Sequence, residues 1–207
     1  MDMNNNNQKS GNKLPSHYDD PVDIFYKKYI DVINPYFKDA GMTPNMITTI
    51  SLLFGLLTCY LYYKSHYVLA GLSYIVSYFF DVMDGHFARI YDMGSVFGSY
   101  YDSVSDNAVA LLLLILFYTN KNISFVSKMV IFSIVAIYGI GTAYHMSCQE
   151  KYVKKTNEKN VSVGLAFLDN IKCHNLENMK YTRFFGTGVT TLVISIIIGS
   201  HVFFAKK

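Results

Sequence analysis

The chain has 207 residues, 51% of them hydrophobic and 16% charged, with a mean hydropathy of +0.20 and a formal net charge of +3. So small a charge excess excludes nucleic-acid binding through a strongly basic surface. Recurring apolar runs long enough to cross a bilayer exclude an ordinary soluble domain.

Residues 1–16, with Asn4 to Asn7 in a row, are polar and low in complexity, and a disordered tail is expected there. From Asp20 the pattern changes. Asp20 suits a helix cap and Pro21 a first helical turn. Ile24, Phe25, Tyr29, Ile30, Ile33, Tyr36 and Phe37 then recur near helical spacing against Asp23, Lys27, Lys28 and Asp31. Residues 17–45 therefore read as an amphipathic juxtamembrane helix in the membrane interface, with Asn34-Pro35 expected to break or kink it. The competing reading is a soluble helix packed on its own domain, for which no such domain is visible. Thr43-Pro44-Asn45 makes a turn into the first span.

Residues 46–207 hold five clear spans, at about 47–63, 67–83, 94–118, 125–146 and 184–204, with a polar stretch over 147–183. The expected fold is all-α: a polytopic integral membrane helix bundle preceded by an interfacial helix. No secretory signal peptide is evident, and the run starting near Ile47 is expected to act as an uncleaved anchor. With the N-terminus in the cytoplasm, Lys9, Lys13, Lys27, Lys28, Lys38, Arg89 and the basic residues from Lys151 to Arg183 fall inside. Only Lys64, Lys121, Lys128, Lys206 and Lys207 fall outside. Cys59, Cys148 and Cys173 are widely spaced, odd in number and without a CxxC pair, and read as free thiols.

Four carboxylates stand in this apolar text. Asp81 and Asp84 are three residues apart and Asp102 and Asp106 four apart, so on helices each pair shares a face. Two such helices facing each other would converge four oxygen-rich side chains, a site for hard divalent cations such as Mg²⁺. An ionised carboxylate at mid-membrane costs about 2.5–3.5 kcal/mol on the insertion scale, which bound cations would offset.

The full pattern reads Asp81-x-x-Asp84-Gly85-x-x-Ala88-Arg89, eight residues, Gly98, three residues, Asp102, three residues, Asp106. It resembles the signature of the CDP-alcohol phosphotransferases (class-I CDP-alcohol phosphatidyltransferases) at every fixed position, a coincidence expected roughly once in 10¹⁰ windows. The resemblance implies a membrane phospholipid synthase. A hydroxyl acceptor would attack the β-phosphorus of a CDP-activated alcohol (CDP-diacylglycerol or a CDP-amino alcohol) and CMP would leave, with two divalent cations (Mg²⁺ or Mn²⁺) as cofactors. Carried over by position, Asp81, Asp84 and Asp102 are metal ligands, and Asp106 is the general base that also touches a metal. Arg89 binds nucleotide phosphate, and Gly85 and Ala88 let nucleotide approach the backbone. Gly98 is expected to let the second and third spans approach, by simple packing or as part of the site. Pro44-Asn45 ahead of Ile47-Thr48 also resembles the family's approach to its first span; Asn45 then points into the nucleotide site or merely starts a helix. Arg183 with Lys180 stands where family members with phosphorylated acceptors place basic residues, although ordinary positive-inside flanking explains both equally simply. His86, at a variable position, reads as a solvated loop residue.

The acceptor stays open. Residues 20–48 resemble the amino-alcohol branch, yet that branch continues the third helix as D-H-G-x-D where this chain has Asp102-Ser-Val-Ser-Asp106. The family core has six spans, so either a weakly apolar piece within 161–171 enters the membrane or the last helix is absent. Family analogy implies a homodimer. Two other readings are an inactive homologue acting as a membrane scaffold and a divalent-cation transporter. Arg89 beside the ligands argues against the latter.

Overall fold

The computed structural model describes residues 11–156, 173 and 175–204. Among these there is no strand. The helices are α1 (Pro21–Asp39), α2 (Pro44–Tyr63), α3 (Tyr67–Ile90), α4 (Val96–Thr119), α5 (Phe125–Thr156) and α6 (Thr187–Phe204), with short helical turns over residues 176–185. Five of the described helical stretches are long and apolar enough to cross a membrane, as the hydropathy pattern predicts. The chain is thus a polytopic membrane helix bundle. The apolar piece within 161–171 lies outside the described residues.

Local chemistry starts three of the helices. Asp20 Oδ1 accepts from the Val22 amide at 2.7 Å, with Pro21 in the first turn of α1. Thr43 caps α2, and Ser95 caps α4 by accepting from the Gly98 amide at 2.9 Å. Pro35 lies inside α1 without ending it, contrary to the expected break. The helix is held by burying Ile30 and packing Val22, Tyr26, Ile33 and Phe37 against Met83 and Phe87 of α3. That burial outweighs a missing backbone hydrogen bond, since tertiary packing supplies most helical stability.

The bundle is built around α2 and α3, antiparallel neighbours across the short turn at residues 64–66. Ser51 Oγ donates to the Ser77 carbonyl and Ser77 Oγ to the Ser51 carbonyl, both at 2.9 Å, while Ser73 Oγ donates to the Phe54 carbonyl at 2.9 Å. Small hydroxyl side chains bring the two backbones close and bond across them, a membrane-adapted form of packing. α4 packs on α2, and α6 and α1 pack on α3. A Cβ at Gly71 would sit 2.7 Å from the Ser195 carbonyl oxygen, so α3 and α6 cross at backbone distance. α5 leans chiefly on α6 and residues 176–185, and its apolar window buries none of its residues, leaving its sides to lipid or to another chain.

The structure corrects three sequence expectations. α3 does not end at residue 83 but continues to Ile90, because Val82, Met83 and Phe87 are all buried against α1. His86 is accordingly fully buried and not a solvated loop residue. Cys148 and Cys173 are joined by a disulfide, leaving Cys59 as the buried free thiol. Their 25-residue separation carries no sequence signature; the tertiary fold brings them together. Chain is also packed within the stretch expected to be a tail: Leu14 is 1% exposed, against the disulfide and Met179. Residues 1–10 lie outside the described residues.

Two outcomes test this packing. Gly71→Val should lower the thermal midpoint in detergent, with an overpacking cost of about 1–3 kcal/mol. Non-reducing peptide mapping should recover Cys148 linked to Cys173, and Cys148→Ser should cost about 3 kcal/mol for a loop of that size.

Candidate metal and nucleotide site

The motif occupies the last three turns of α3 and the first three of α4. Asp81, Asp102 and Asp106 each offer a carboxylate oxygen, and these oxygens all lie within 4.8 Å of one another. Three like charges so close repel strongly unless protons or cations intervene. Asp102 Oδ1 is buried without any hydrogen-bond partner. A buried unpartnered carboxylate oxygen, in a set made only of hard oxygen donors, fits a divalent cation of the Mg²⁺ type. Asp106 has its face open, and Asp81 and Asp102 are partly covered.

Asp84 does not join this trio. It is 6% exposed and accepts a hydrogen bond from the Thr48 hydroxyl of α2, while standing close enough to Asp102 and Asp106 to feel their charge. Of the four carboxylates expected to converge, three thus offer oxygens within 4.8 Å of one another, and the fourth, Asp84, is tied to α2. Thr48 is the site residue that reading the carboxylates alone misses. Its signal in the sequence is the Pro44-Asn45-x-Ile47-Thr48 stretch, which puts Thr48 one turn beyond the helix start.

Arg89 lies within electrostatic reach of Asp84 and Asp102 on one side and of Asp19 and Asp23 on the other. Its guanidinium lies over Gly85: a Cβ there would be 3.3 Å from Nη1. Gly85 thus makes room for Arg89 itself, in addition to any nucleotide. Gly98 approaches a different neighbour from the expected one. A Cβ at Gly98 would meet Asn45 Oδ1 at 2.7 Å, so the close contact joins the third span to the first, not to the second. This brings Asn45 to the start of α4, on the helix that carries Asp102 and Asp106. Ala88 is partly buried on α3.

Arg183 is remote in sequence. Its Nη1 donates to the carbonyls of Ser16 and His17 at 3.3 and 3.2 Å, and its Nε is buried without a partner. Lys180 is exposed.

The CDP-alcohol phosphatidyltransferase family profile matches residues 41–200. The chain belongs to the CDP-alcohol phosphatidyltransferase family. It is also similar to an archaetidylinositol phosphate synthase of Pyrococcus horikoshii, 36% identical over 80 residues, which are 39% of this chain and 43% of that protein. The chain therefore matches less than half the length of this curated relative. The family uses divalent cations, and the acidic cluster with the orphan oxygen of Asp102 could hold one.

Beside the motif, α1 contributes a second acidic group. Asp23 Oδ1 accepts from the Tyr78 hydroxyl at 2.6 Å, and that hydroxyl lies 2.8 Å from Thr187 Oγ1 of α6. Burial pushes the Asp23 carboxyl up from the usual carboxylate range to about 7, against the opposing attraction of Lys27. A carboxyl raised in the folded state favours folding at low pH, and that contribution is lost as pH rises through the folded value. Stability should therefore fall as pH rises from about 4 to about 7, and Asp23→Asn should flatten the fall in thermal melts across that window. Thr48→Val should weaken Mn²⁺ binding, read by electron paramagnetic resonance, by about 10-fold through loss of the Asp84 support.

Proposed function

We propose that this protein transfers a phosphatidyl or related phospho-alcohol group from a CDP-activated alcohol, CDP-diacylglycerol being the favoured donor, to a hydroxyl acceptor, releasing CMP. The observation that carries the reading is the trio Asp81, Asp102 and Asp106 with its unpartnered buried oxygen, set beside Arg89. Asp81, Asp102 and Asp106 hold two divalent cations (Mg²⁺ or Mn²⁺), with Asp84 completing the set from its place on Thr48. When bound, the cations supply charge neutralisation for the donor's diphosphate and polarise its β-phosphorus.

The chain's own residues do the rest. Arg89 binds a non-bridging phosphate oxygen, a task for which its planar fork suits it better than a lysine. Gly85, Ala88 and Asn45 border the nucleotide. Asp106, the most open carboxylate of the trio, takes the proton of the acceptor hydroxyl, an alcohol too weakly acidic to attack unaided. The acceptor oxygen forms a bond to the β-phosphorus as the bond from that phosphorus to the oxygen shared with the α-phosphate breaks. CMP departs with that oxygen and the electron pair. The charge count closes with one proton on Asp106.

The relative's name extends the acceptor range to phosphorylated inositols. Such an acceptor needs a cation of its own, and Arg183, with Lys180 beside it, supplies one at the start of the last span. On this reading the site faces the cytoplasm, where nucleotide is available, and the basic residues follow the positive-inside rule.

The test is CMP release from purified protein in liposomes with Mg²⁺ or Mn²⁺. CDP-diacylglycerol would be paired in turn with glycerol 3-phosphate, inositol, inositol phosphate, serine, ethanolamine and choline. CDP-choline and CDP-ethanolamine would be paired with diacylglycerol. One pair should give metal-dependent release, and Asp106→Asn should lower it by about 10²–10⁴-fold with an unchanged thermal midpoint. Absence of release with every pair, from folded and metal-loaded protein, would sink the enzyme reading in favour of the inactive scaffold.

A further inference from the structure

Residues 11–20 form a strap that runs from the motif end of α3 to the cap of α1. It is pinned at several points: Leu14 is buried against Met179 and the disulfide, Lys13 pairs with Glu150 at 2.5 Å, and Asp19 pairs with Lys27. Along it, backbone carbonyls face arginines. Gly11 O accepts from Arg89 Nε at 2.7 Å and lies 3.1 Å from His86 Nδ1, while the carbonyls of Ser16 and His17 hold Arg183. His86 is itself set by its other nitrogen, 2.7 Å from Asp31 Oδ1 of α1.

We propose that Gly11 is a positioning residue for nucleotide binding: its carbonyl orients the Arg89 guanidinium toward the phosphates of the CDP donor. This inference rests on the reading of Arg89 as a phosphate ligand. A carbonyl accepts N–H groups and carries no net charge, so it fixes the direction of the fork without neutralising it. The bond uses Nε, and the two Nη groups lie along Gly85 on the motif helix. A carboxylate in the same place would hold Arg89 as firmly but cancel the charge that a phosphate needs. Position 11 also requires glycine. Its φ is +66°, and a Cβ would stand 2.6 Å from Ile90 Cγ1 and 2.8 Å from His86 Cε1. An alanine there pays backbone strain and must push the carbonyl away from Arg89.

The experiment titrates CDP into the full-length protein in detergent with saturating Mn²⁺, by calorimetry, for wild type, Gly11→Ala, Arg89→Ala, the double variant and Gly41→Ala. Gly41 is the control, with φ +74° and nothing within 4 Å of a built Cβ, so it carries the strain without the clash. Gly11→Ala should weaken CDP binding by about 10-fold or more, as misplacement of a binding group does. The double variant should bind no more weakly than Arg89→Ala, since Gly11 acts through Arg89, and Gly41→Ala should match wild type. If Gly11→Ala does not fold, Leu14→Ala, which loosens the strap without touching Arg89, should weaken binding in the same direction. Unchanged or tighter binding in Gly11→Ala, or losses that add in the double variant, would overturn the proposal while leaving Arg89 as a ligand. Wild-type affinity in Arg89→Ala would overturn the parent reading and this inference with it.

Discussion

Carboxylates from two membrane-crossing helices must be held against one another, and that requirement shapes the bundle. Asp81 on α3 and Asp102 and Asp106 on α4 repel, and lipid offers them nothing. Neither helix can hold the other through this face. Both instead grip α2. α3 is joined to it by the reciprocal Ser51–Ser77 bonds and by the Thr48–Asp84 bond, and α4 by the close approach of Gly98 to Asn45. The carboxylates are brought together as a by-product of two favourable contacts with a third helix. Asp102 is left with a buried oxygen that no other group of the described residues meets, a place that suits a divalent cation.

The same end of the molecule is closed by the segment preceding the spans. Asp20 is its keystone. One carboxylate oxygen caps α1 through the Val22 amide, and the other accepts from the Val189 amide near the start of α6 at 3.0 Å. A single buried carboxylate thus serves two helix N-termini, whose dipoles both favour it. Gly186 and Gly188 leave room for it, since a Cβ at either would come within 3 Å of Asp20 atoms. The juxtamembrane helix is in this way part of the active bundle, not a float beside it. The disulfide lies at this end too, packed against Leu14 of the preceding segment.

The sequence by itself determined which side chains share a helix face and which text crosses a membrane. The 81–84 and 102–106 spacings, the Asp20-Pro21 start and the five apolar runs are local properties of a helix with 3.6 residues per turn, so they carry over into the structure, although some helices run past the apolar text. Family membership was legible for the same reason, because the signature is a pattern of spacings on two consecutive helices. What only the tertiary structure decided is who meets whom across long separations. It paired Asp84 with Thr48 and left it outside the trio, turned Gly98 toward Asn45, buried His86, joined Cys148 to Cys173 and laid Gly11 against Arg89. No periodicity encodes those contacts, because each depends on the relative placement of elements whose facing surfaces are chosen by packing of the whole bundle.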